Sequence, residues 1–262
     1  MPDELLSEAR GAVHRLTLNR PARRNALTPA LARSLADALD AIEDSGQAEL
    51  VVLRGAGGHF CSGLDLHWLR GLGDTPNIAE LQRGLADFQA TVLAVVRCPV
   101  PVVAAVEGTA AGFGLDLALA CDLRLAAVNA TFTSAFARMG LVPDGGSTFT
   151  LPRLVGIGPA MRLLLAGETI DAARAQAIGL VDEVVATEQV DSEIEALVQR
   201  LTAGATSSVR AIKRLVRAQE IGALEQVLST EGAAQLQALQ GPEFRRRMEA
   251  FTARVAARTE GA

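Results

Sequence analysis

The chain has 262 residues, enough for one or two domains with a sizeable core, and 49% of them are hydrophobic, which excludes a disordered chain. A net charge of -5 and the absence of tyrosine and of any basic stripe argue against a nucleic-acid-binding protein. The acidic start, MPDELLSEAR, does not resemble a signal peptide. The longest apolar region, 91–121, is interrupted by charges and prolines, so we expect no membrane span.

The cysteines indicate a reducing compartment. Cys61, Cys98 and Cys121 are odd in number and have no CxxC spacing, which favours free thiols in a cytoplasmic protein. No group of His, Cys and Asp has the spacing of metal ligands, so we expect no metal.

The first third of the chain alternates strands and helices. Residues 13–19 and 49–55 predict strands, and between them Thr28 and Pro29 predict the start of a helix with an apolar stripe. A glycine-rich loop, AGGHFCSGLDL, follows the second strand. A long helix over 78–97 is then ended by Cys98 and Pro99.

The middle of the chain continues this alternation. VPVVAAVEG predicts a buried strand, TAAGFGLDLALACD a loop that opens a helix, and LRLAAVNATF a further extended segment. Such alternation is typical of an α/β fold with a largely parallel sheet.

After about residue 190 the pattern becomes helical. The segments 192–204, 207–220 and 243–258 carry apolar residues at three- and four-residue spacing. We therefore divide the chain into an α/β core, 1–195, which would hold the site, and a helical region, 196–262. From the pattern alone, these helices pack either on their own core or on a partner subunit.

Two glycine-rich turns could bind a developing negative charge. They are FCSGLDL, 60–66, and GTAAGFGLDLALA, 108–120, the second of which runs from a strand into a helix. Free backbone N–H groups at such turns attract anions, and two converging donors would stabilise a carbonyl oxygen that becomes an enolate. A purely structural role for either loop is the alternative.

A third turn, MGLVPDGGST, places one carboxylate among apolar residues. Pro143 fixes its own φ, and Gly145 and Gly146 allow a sharp turn around Asp144. Asp144 is either a chemical group or the cap of a helix that begins near Gly145.

Taken together, these motifs resemble the enoyl-CoA hydratase/isomerase, or crotonase, superfamily. The resemblance rests on HFCSGLDL, on PVPVVAAVEGTAAGFGLDLALACDLRLAAVNATF and on AIGLVDEVV, and it covers nearly the whole chain. It implies a crotonase-like spiral of β-β-α units and a C-terminal helical trimerisation region, with trimers or hexamers made of two trimers. It also implies an acyl-CoA thioester as ligand, with coenzyme A as part of the substrate and no permanently bound cofactor.

The resemblance assigns the oxyanion hole to two backbone amides. One belongs to Leu64, after the glycine of FCSG, and the other to Phe113, the middle residue of GFG. Most members have glycine at the position of Phe113. Because the donor is the backbone, the hole can survive, and the ring must either turn away or shape the acyl pocket.

The resemblance puts the usual hydratase mechanism in doubt. Typical hydratases use two glutamates, whose positions here hold Asp116 and Phe136. A phenylalanine cannot transfer a proton, and aspartate is one methylene shorter than glutamate. Asp116 is therefore either a second catalytic carboxylate or a charge favoured at a helix start.

Asp144 matches a different branch of the superfamily. AFARMGLVPDGGSTFTLPRLVG resembles the phenylacetate-pathway isomerases, in which an acid at this turn shuttles a proton. The neighbouring Phe136, Phe149 and Leu141 would line the acyl pocket and raise the basicity of Asp144 by desolvation.

The phosphates of coenzyme A need cations. By resemblance, Arg23 and Arg24 in RPARRN and Lys213 in AIKRL could supply them, and ordinary surface charge is the alternative for each. Our leading expectation is an acyl-CoA double-bond or ring isomerase with Asp144 as its base. The rivals are a hydratase that uses Asp116 and Asp144, and a non-catalytic acyl-CoA-binding or RNA-binding protein of the same fold.

Overall fold

The computed structural model describes residues 3–73 and 77–260, with side chains up to residue 253. Its strands are β1 (Leu5–Arg10), β2 (Val13–Leu18), β3 (Leu50–Gly55), β4 (Val102–Val106), β5 (Thr109–Ala111), β6 (Leu123–Ala127), β7 (Thr131–Thr133), β8 (Thr169–Asp171) and β9 (Glu183–Val185). Its helices are α1 (Pro29–Ser45), α2 (Leu66–Gly71), α3 (Ile78–Arg97), α4 (Phe113–Ala120), α5 (Ser147–Val155), α6 (Ile157–Ala166), α7 (Ala172–Ala177), α8 (Val190–Thr202), α9 (Thr206–Ala218), α10 (Ile221–Leu239) and α11 (Pro242–Glu260). The last two residues of the predicted helical region, 261 and 262, lie outside the described residues.

The main sheet is covered on both faces. Among the described residues its strand order is β1-β2-β3-β4-β6-β9, and all neighbours are parallel except the hairpin of β1 and β2. Val51 and Leu53 of β3 belong to the large core, whereas Leu50 and Val52 face a smaller apolar cluster under α8. Burial on both faces explains why these strands are continuous apolar runs.

A second, smaller sheet completes the β-β-α units. In the described part of the chain it has the order β5-β7-β8, with β5 parallel to β7 and β7 antiparallel to β8. The chain leaves β4, turns at Gly108 with φ +54, forms β5 and enters α4. The predicted α/β fold with β-β-α units and C-terminal helices is therefore confirmed.

The local signals at the helix ends are also confirmed. The Thr28 side chain accepts a hydrogen bond from the amide of Leu31 at the start of α1, and Pro29 occupies the first helical position. Helix α3 has the predicted bounds, 78–97. Strand β1 and helix α10 were not anticipated.

Helix α10 belongs to the predicted helical region, 196–262, and packs on the core, which is one of the two arrangements that the sequence pattern left open for these helices. Leu224 and Leu228 are each 2% exposed and pack in the large core cluster. The Gln89 side-chain amide of α3 donates to the carbonyl of Leu228 over 2.6 Å. By contrast, α9 leaves Ile212, Leu215 and Val216 more than half exposed. Among the described helices, we find none with the length and apolar character needed to cross a membrane.

The position of Leu228 in the core leads to a first prediction. Leu228→Ala should lower the free energy of unfolding by about 2–5 kcal/mol, because it leaves a cavity under α10. Gln237→Ala, at an exposed position of the same helix, should change it by less than about 0.5 kcal/mol. Urea unfolding followed by circular dichroism measures both, and a negligible effect of Leu228→Ala would show that α10 is separable from the core.

Candidate active site

Backbone pairing brings the two glycine-rich loops together. The amide of Cys61 donates to the carbonyl of Thr109 over 2.9 Å, and the amide of Ala111 donates back to Cys61 over 3.0 Å. A methyl group on Gly114 would come within 2.2 Å of the Cys61 carbonyl, so only glycine fits there. This close approach explains why both segments are rich in small residues.

The amides of Leu64 and Phe113 border one cavity. Gly63 has φ +91, and a methyl group built on it would lie 3.2 Å from the Phe113 nitrogen. Phe113 is the first residue of α4 and Leu64 follows Gly63, so both amides stand beside this contact. Among the described residues, neither amide has a hydrogen-bond acceptor. They are available to a carbonyl oxygen, in keeping with the oxyanion hole that the resemblance implies.

The cavity is small and mostly apolar. It has a volume of about 100 Å³ and is lined by Ser62, Gly63, Leu64, Leu66, Phe88, Gly112, Phe113, Ala135, Phe136, Met139, Leu141, Asp144 and Gln235. The Phe113 ring packs against that of Phe88, with 4.8 Å between ring centroids. Phe136 and Leu141 thus stand where the sequence predicted an acyl pocket.

Phe149 does not line this cavity, which corrects its assignment to the acyl pocket. It is on α5 and borders a separate groove next to α9. The guanidinium of Arg153 lies 3.4 Å from the centroid of its ring. Phe149 lies about one helical turn after Gly146, and its side chain therefore points away from the cavity that Asp144 faces.

Asp144 faces the cavity and does not cap a helix. The N-cap position of α5 is Gly146, with φ +86, which has no side chain of its own to cap the helix. Asp144 is 8% exposed, and its Oδ2 accepts a hydrogen bond from the Gln235 side-chain amide over 3.1 Å. Its Oδ1 has no partner among the described residues. The alternative in which Asp144 only caps the helix is therefore wrong.

The surroundings of Asp144 raise the pKa of its carboxyl to about 7. Burial is the main cause, the hydrogen bond from Gln235 opposes it, and the charge of Glu231 adds to it. A carboxyl with this pKa is a proton acceptor suited to neutral pH.

Asp116 lies behind the turn, outside the cavity lining. It is 1% exposed, and its Oδ2 accepts the amide N–H of Gly145 over 3.1 Å. Burial, then the charges of Glu231 and Asp144, raise its pKa well above the ordinary value. A methyl group on Gly145 would come within 2.6 Å of the Asp116 Cβ, so this glycine is needed for close packing.

Sequence reasoning missed two residues of α10 that hold the turn. Glu231 accepts hydrogen bonds from the amides of Gly146 and Thr148, over 2.7 and 3.0 Å, and so caps the start of α5. Gln235 accepts the amide of Val142 over 3.1 Å and donates to Asp144. No local motif marks either residue, because their partners lie more than 80 positions away in the chain.

The predicted CoA-binding cations have different surroundings. Arg23 and Arg24 are exposed beside the first loop, and their carbonyls accept bonds from the Ser62 hydroxyl and amide. Their contact with coenzyme A stays a prediction. Lys213 is 9% exposed, pairs with Asp122 over 2.6 Å and donates to the carbonyl of Val100. Its ammonium is engaged in this buried pair and lies outside the cavity lining. Because the corresponding lysine reaches coenzyme A from a neighbouring subunit in some members of the family that the chain resembles, its contact with coenzyme A also stays a prediction.

No group of three or more metal-binding side chains occurs among the described residues. What the site offers is two free amides, one titratable carboxyl and apolar walls. This combination can bind a carbonyl compound, remove an acidic proton next to the carbonyl and stabilise the resulting enolate.

The chain is similar in sequence and in structure to enoyl-CoA hydratases and related isomerases. The sequence model of the family described as enoyl-CoA hydratase/isomerase matches residues 8–260. A Rhodobacter capsulatus protein named "Probable enoyl-CoA hydratase" is 37% identical over 236 residues, 90% of each chain. The 1,2-epoxyphenylacetyl-CoA isomerase of Escherichia coli is 34% identical over 255 residues, 97% of each chain. The crystal structure of an enoyl-CoA hydratase from Mycobacterium avium subsp. paratuberculosis has a TM-score of 0.86 and 32% identity, over 94% of this chain and 98% of that one.

The buried Asp144 carboxyl predicts a pH-dependent stability difference. Its pKa rises from 3.8 in the unfolded chain to about 7 in the fold. The neutral carboxyl therefore stabilises the folded state fully below pH 3.8, and this stabilisation is lost as the pH rises to 7. Asp144→Asn removes this pH-dependent loss in the free energy of unfolding, which is on the order of 4 kcal/mol. Its melting temperature, relative to that of the wild type, should therefore increase from pH 4 to pH 8.

Asp40→Asn on the exposed face of α1 is the matched control, and its difference from the wild type should not change with pH in this way. A constant difference for Asp144→Asn over the same range would contradict the raised pKa.

Proposed function

The chain belongs to the enoyl-CoA hydratase/isomerase family, and on that premise we propose that it isomerises acyl-CoA thioesters with Asp144 as the single proton-shuttling base. The observation that carries the proposal is that, among the described residues, Asp144 is the one carboxylate that lines the cavity. A double-bond isomerase needs one base that both removes and returns a proton, and a pKa of about 7 suits both steps.

The proposed steps use groups that line the cavity. The thioester oxygen accepts hydrogen bonds from the amides of Leu64 and Phe113. Asp144 removes a proton from C2 of a 3-enoyl chain, and the electron pair moves into the carbonyl to form a dienolate. Protonated Asp144 then returns the proton at C4, the C2–C3 double bond forms, and no water is consumed. The two amides stabilise the charge that develops on the oxygen.

Apolar walls support this chemistry. Phe88, Phe113 and Phe136 line the cavity on the way to Asp144 and limit the access of water to the dienolate. The resemblance of the Asp144 turn to ring-rearranging isomerases, and the similarity of the chain to the Escherichia coli enzyme, keep ring-containing acyl groups among the substrates.

A hydratase is the second candidate. Asp116 is close to the same turn, since its carboxyl accepts the Gly145 amide, and it could take part in water activation if the turn moved. Phe136, however, occupies the position of the second hydratase glutamate and lines the cavity. A cavity with a tuned carboxyl also weighs against the non-catalytic acyl-CoA-binding or RNA-binding alternative.

The third prediction tests the base. Asp144→Asn should reduce isomerisation by roughly 10²–10⁴-fold, because an amide cannot accept the C2 proton. Binding of acyl-CoA should remain, since the oxyanion amides are unchanged. Asp116→Asn is the paired variant and should reduce turnover much less.

The assay uses cis-3-enoyl-, trans-2-enoyl- and ring-containing acyl-CoAs, followed by ultraviolet and mass spectra. A spectral change at constant mass is expected. A mass gain of one water, with equal losses in both variants, would instead establish the two-carboxylate hydratase.

Assembly is the fourth prediction. We propose that the chain forms trimers or dimers of trimers, because the apolar side chains of Ile212, Leu215 and Val216 on α9 are 60–65% exposed in the single chain. Light scattering should give a mass three or six times that of one chain. Leu215→Glu with Val216→Glu should shift the mass towards that of one subunit, whereas Gln237→Glu should not. A monomeric and active wild type would contradict this proposal.

A further inference from the structure

We propose that Gln235 of α10 is a positioning residue that fixes the direction of the Asp144 carboxylate and keeps its Oδ1 free for the substrate. The inference rests on the proposed function, in which Asp144 is the base. It goes beyond that function because it assigns a task to a residue of the C-terminal helical region.

The orientation of the Gln235 amide is determined by its partners. Its Oε1 accepts the backbone N–H of Val142, which can only donate. Its Nε2 must then be the group 3.1 Å from Asp144 Oδ2, and it can only donate. One side chain thus spans the turn on both sides of Pro143 and presents a hydrogen-bond donor to the carboxylate.

Gln235 is itself held rigidly. It is 1% exposed, and it lies four residues after Glu231, which binds the amides of Gly146 and Thr148. Between them, a methyl group on Gly232 would come within 2.8 Å of the Gln89 side chain, which shows how closely α10 meets α3. The position of the donor is therefore fixed by contacts that do not involve Asp144.

Two consequences follow for the base. With Oδ2 occupied by Gln235, the unpartnered Oδ1 is the oxygen left to take a proton from the substrate. The donated hydrogen bond also stabilises the charged carboxylate, and so opposes the rise in pKa caused by burial and by Glu231. The titratable groups coupled to Asp144 among the described residues are Glu231 on α10 and Asp116 on α4.

The test is the pH profile of kcat/KM for the best substrate of the wild type. Gln235→Met keeps the length of the side chain but lacks the donor. It should shift the acid limb to higher pH, because the base then ionises later, and a shift of one unit lowers the rate about tenfold at acid pH. At pH 9 the loss of kcat/KM in Gln235→Met should be smaller. Gln235→Glu keeps the acceptor for Val142 but adds a like charge, and it should shift the limb further. Gln237→Met, exposed on the same helix, should leave the profile unchanged.

A second measurement does not depend on turnover. In protein with ¹³Cγ-labelled aspartate, the Asp144 resonance is assigned by its absence from Asp144→Asn, and its titration should move to higher pH in both Gln235 variants. If the Asp144 titration and the acid limb stay at their wild-type positions in folded Gln235→Met and Gln235→Glu, the inference is overturned. A uniform loss of activity at all pH values, without a shift, would also overturn it.

The two proposals fail in different ways. Full activity of Asp144→Asn would remove the proposed base, whereas an inactive Asp144→Asn beside unshifted Gln235 variants would remove only the role of Gln235. Circular dichroism confirms that each variant is folded before it is titrated.

Discussion

The site depends on the hydrogen bonds that one helix, α10, forms with the turn that carries Asp144. The side chains of Glu231 and Gln235 stand one helical turn apart and bind the two ends of that turn. A loop with one proline and two consecutive glycines has little to fix its own shape, so an external partner must supply the constraint. The turn that carries Asp144 is therefore held in place by the docking of α10 on the core.

The contact between α10 and this turn also brings three carboxyls into one buried region. Glu231 accepts two amide hydrogen bonds and a hydroxyl, whereas Asp116 and Asp144 each accept one. Asp116 is the most deeply buried of the three, and burial, together with the charges of Glu231 and Asp144, raises its pKa well above the ordinary value. Burial and the charge of Glu231 also raise the pKa of Asp144. Glu231 and Asp116 are therefore part of the electrostatic surroundings of Asp144, although neither lines the cavity.

The sequence was informative where the chemistry is local. Glycines that allow close backbone contact mark the two loops that carry Leu64 and Phe113, and both residues line the cavity. Their role as oxyanion donors stays a prediction. Burial and long-range pairing could not be predicted in this way. Lys213 has the right charge for a phosphate, but Asp122 engages it, and nothing local shows this. Helix α10 contacts neighbours on several sides, so its sequence has no clear apolar periodicity that would predict a helix. Its Gln235 pairs with a residue 91 positions away, which no local pattern indicates.

The choice between isomerase and hydratase comes down to which groups reach the reacting carbons. A hydratase must hold and activate a water molecule beside the double bond, for which the superfamily uses two carboxylates. By the resemblance of the sequence motifs, one of those positions is occupied by Phe136, which lines the cavity, and the other by Asp116, whose carboxyl accepts a hydrogen bond from the Gly145 amide behind the turn. A water in this cavity would meet one carboxylate and aromatic walls, and would lose hydrogen bonds on entry. In the proposed isomerisation, a proton carried by Asp144 from C2 to C4 would have no such cost, because donor and acceptor would be successive states of one carboxyl. The apolar lining is therefore the feature of the cavity that supports the proposed isomerisation over water addition.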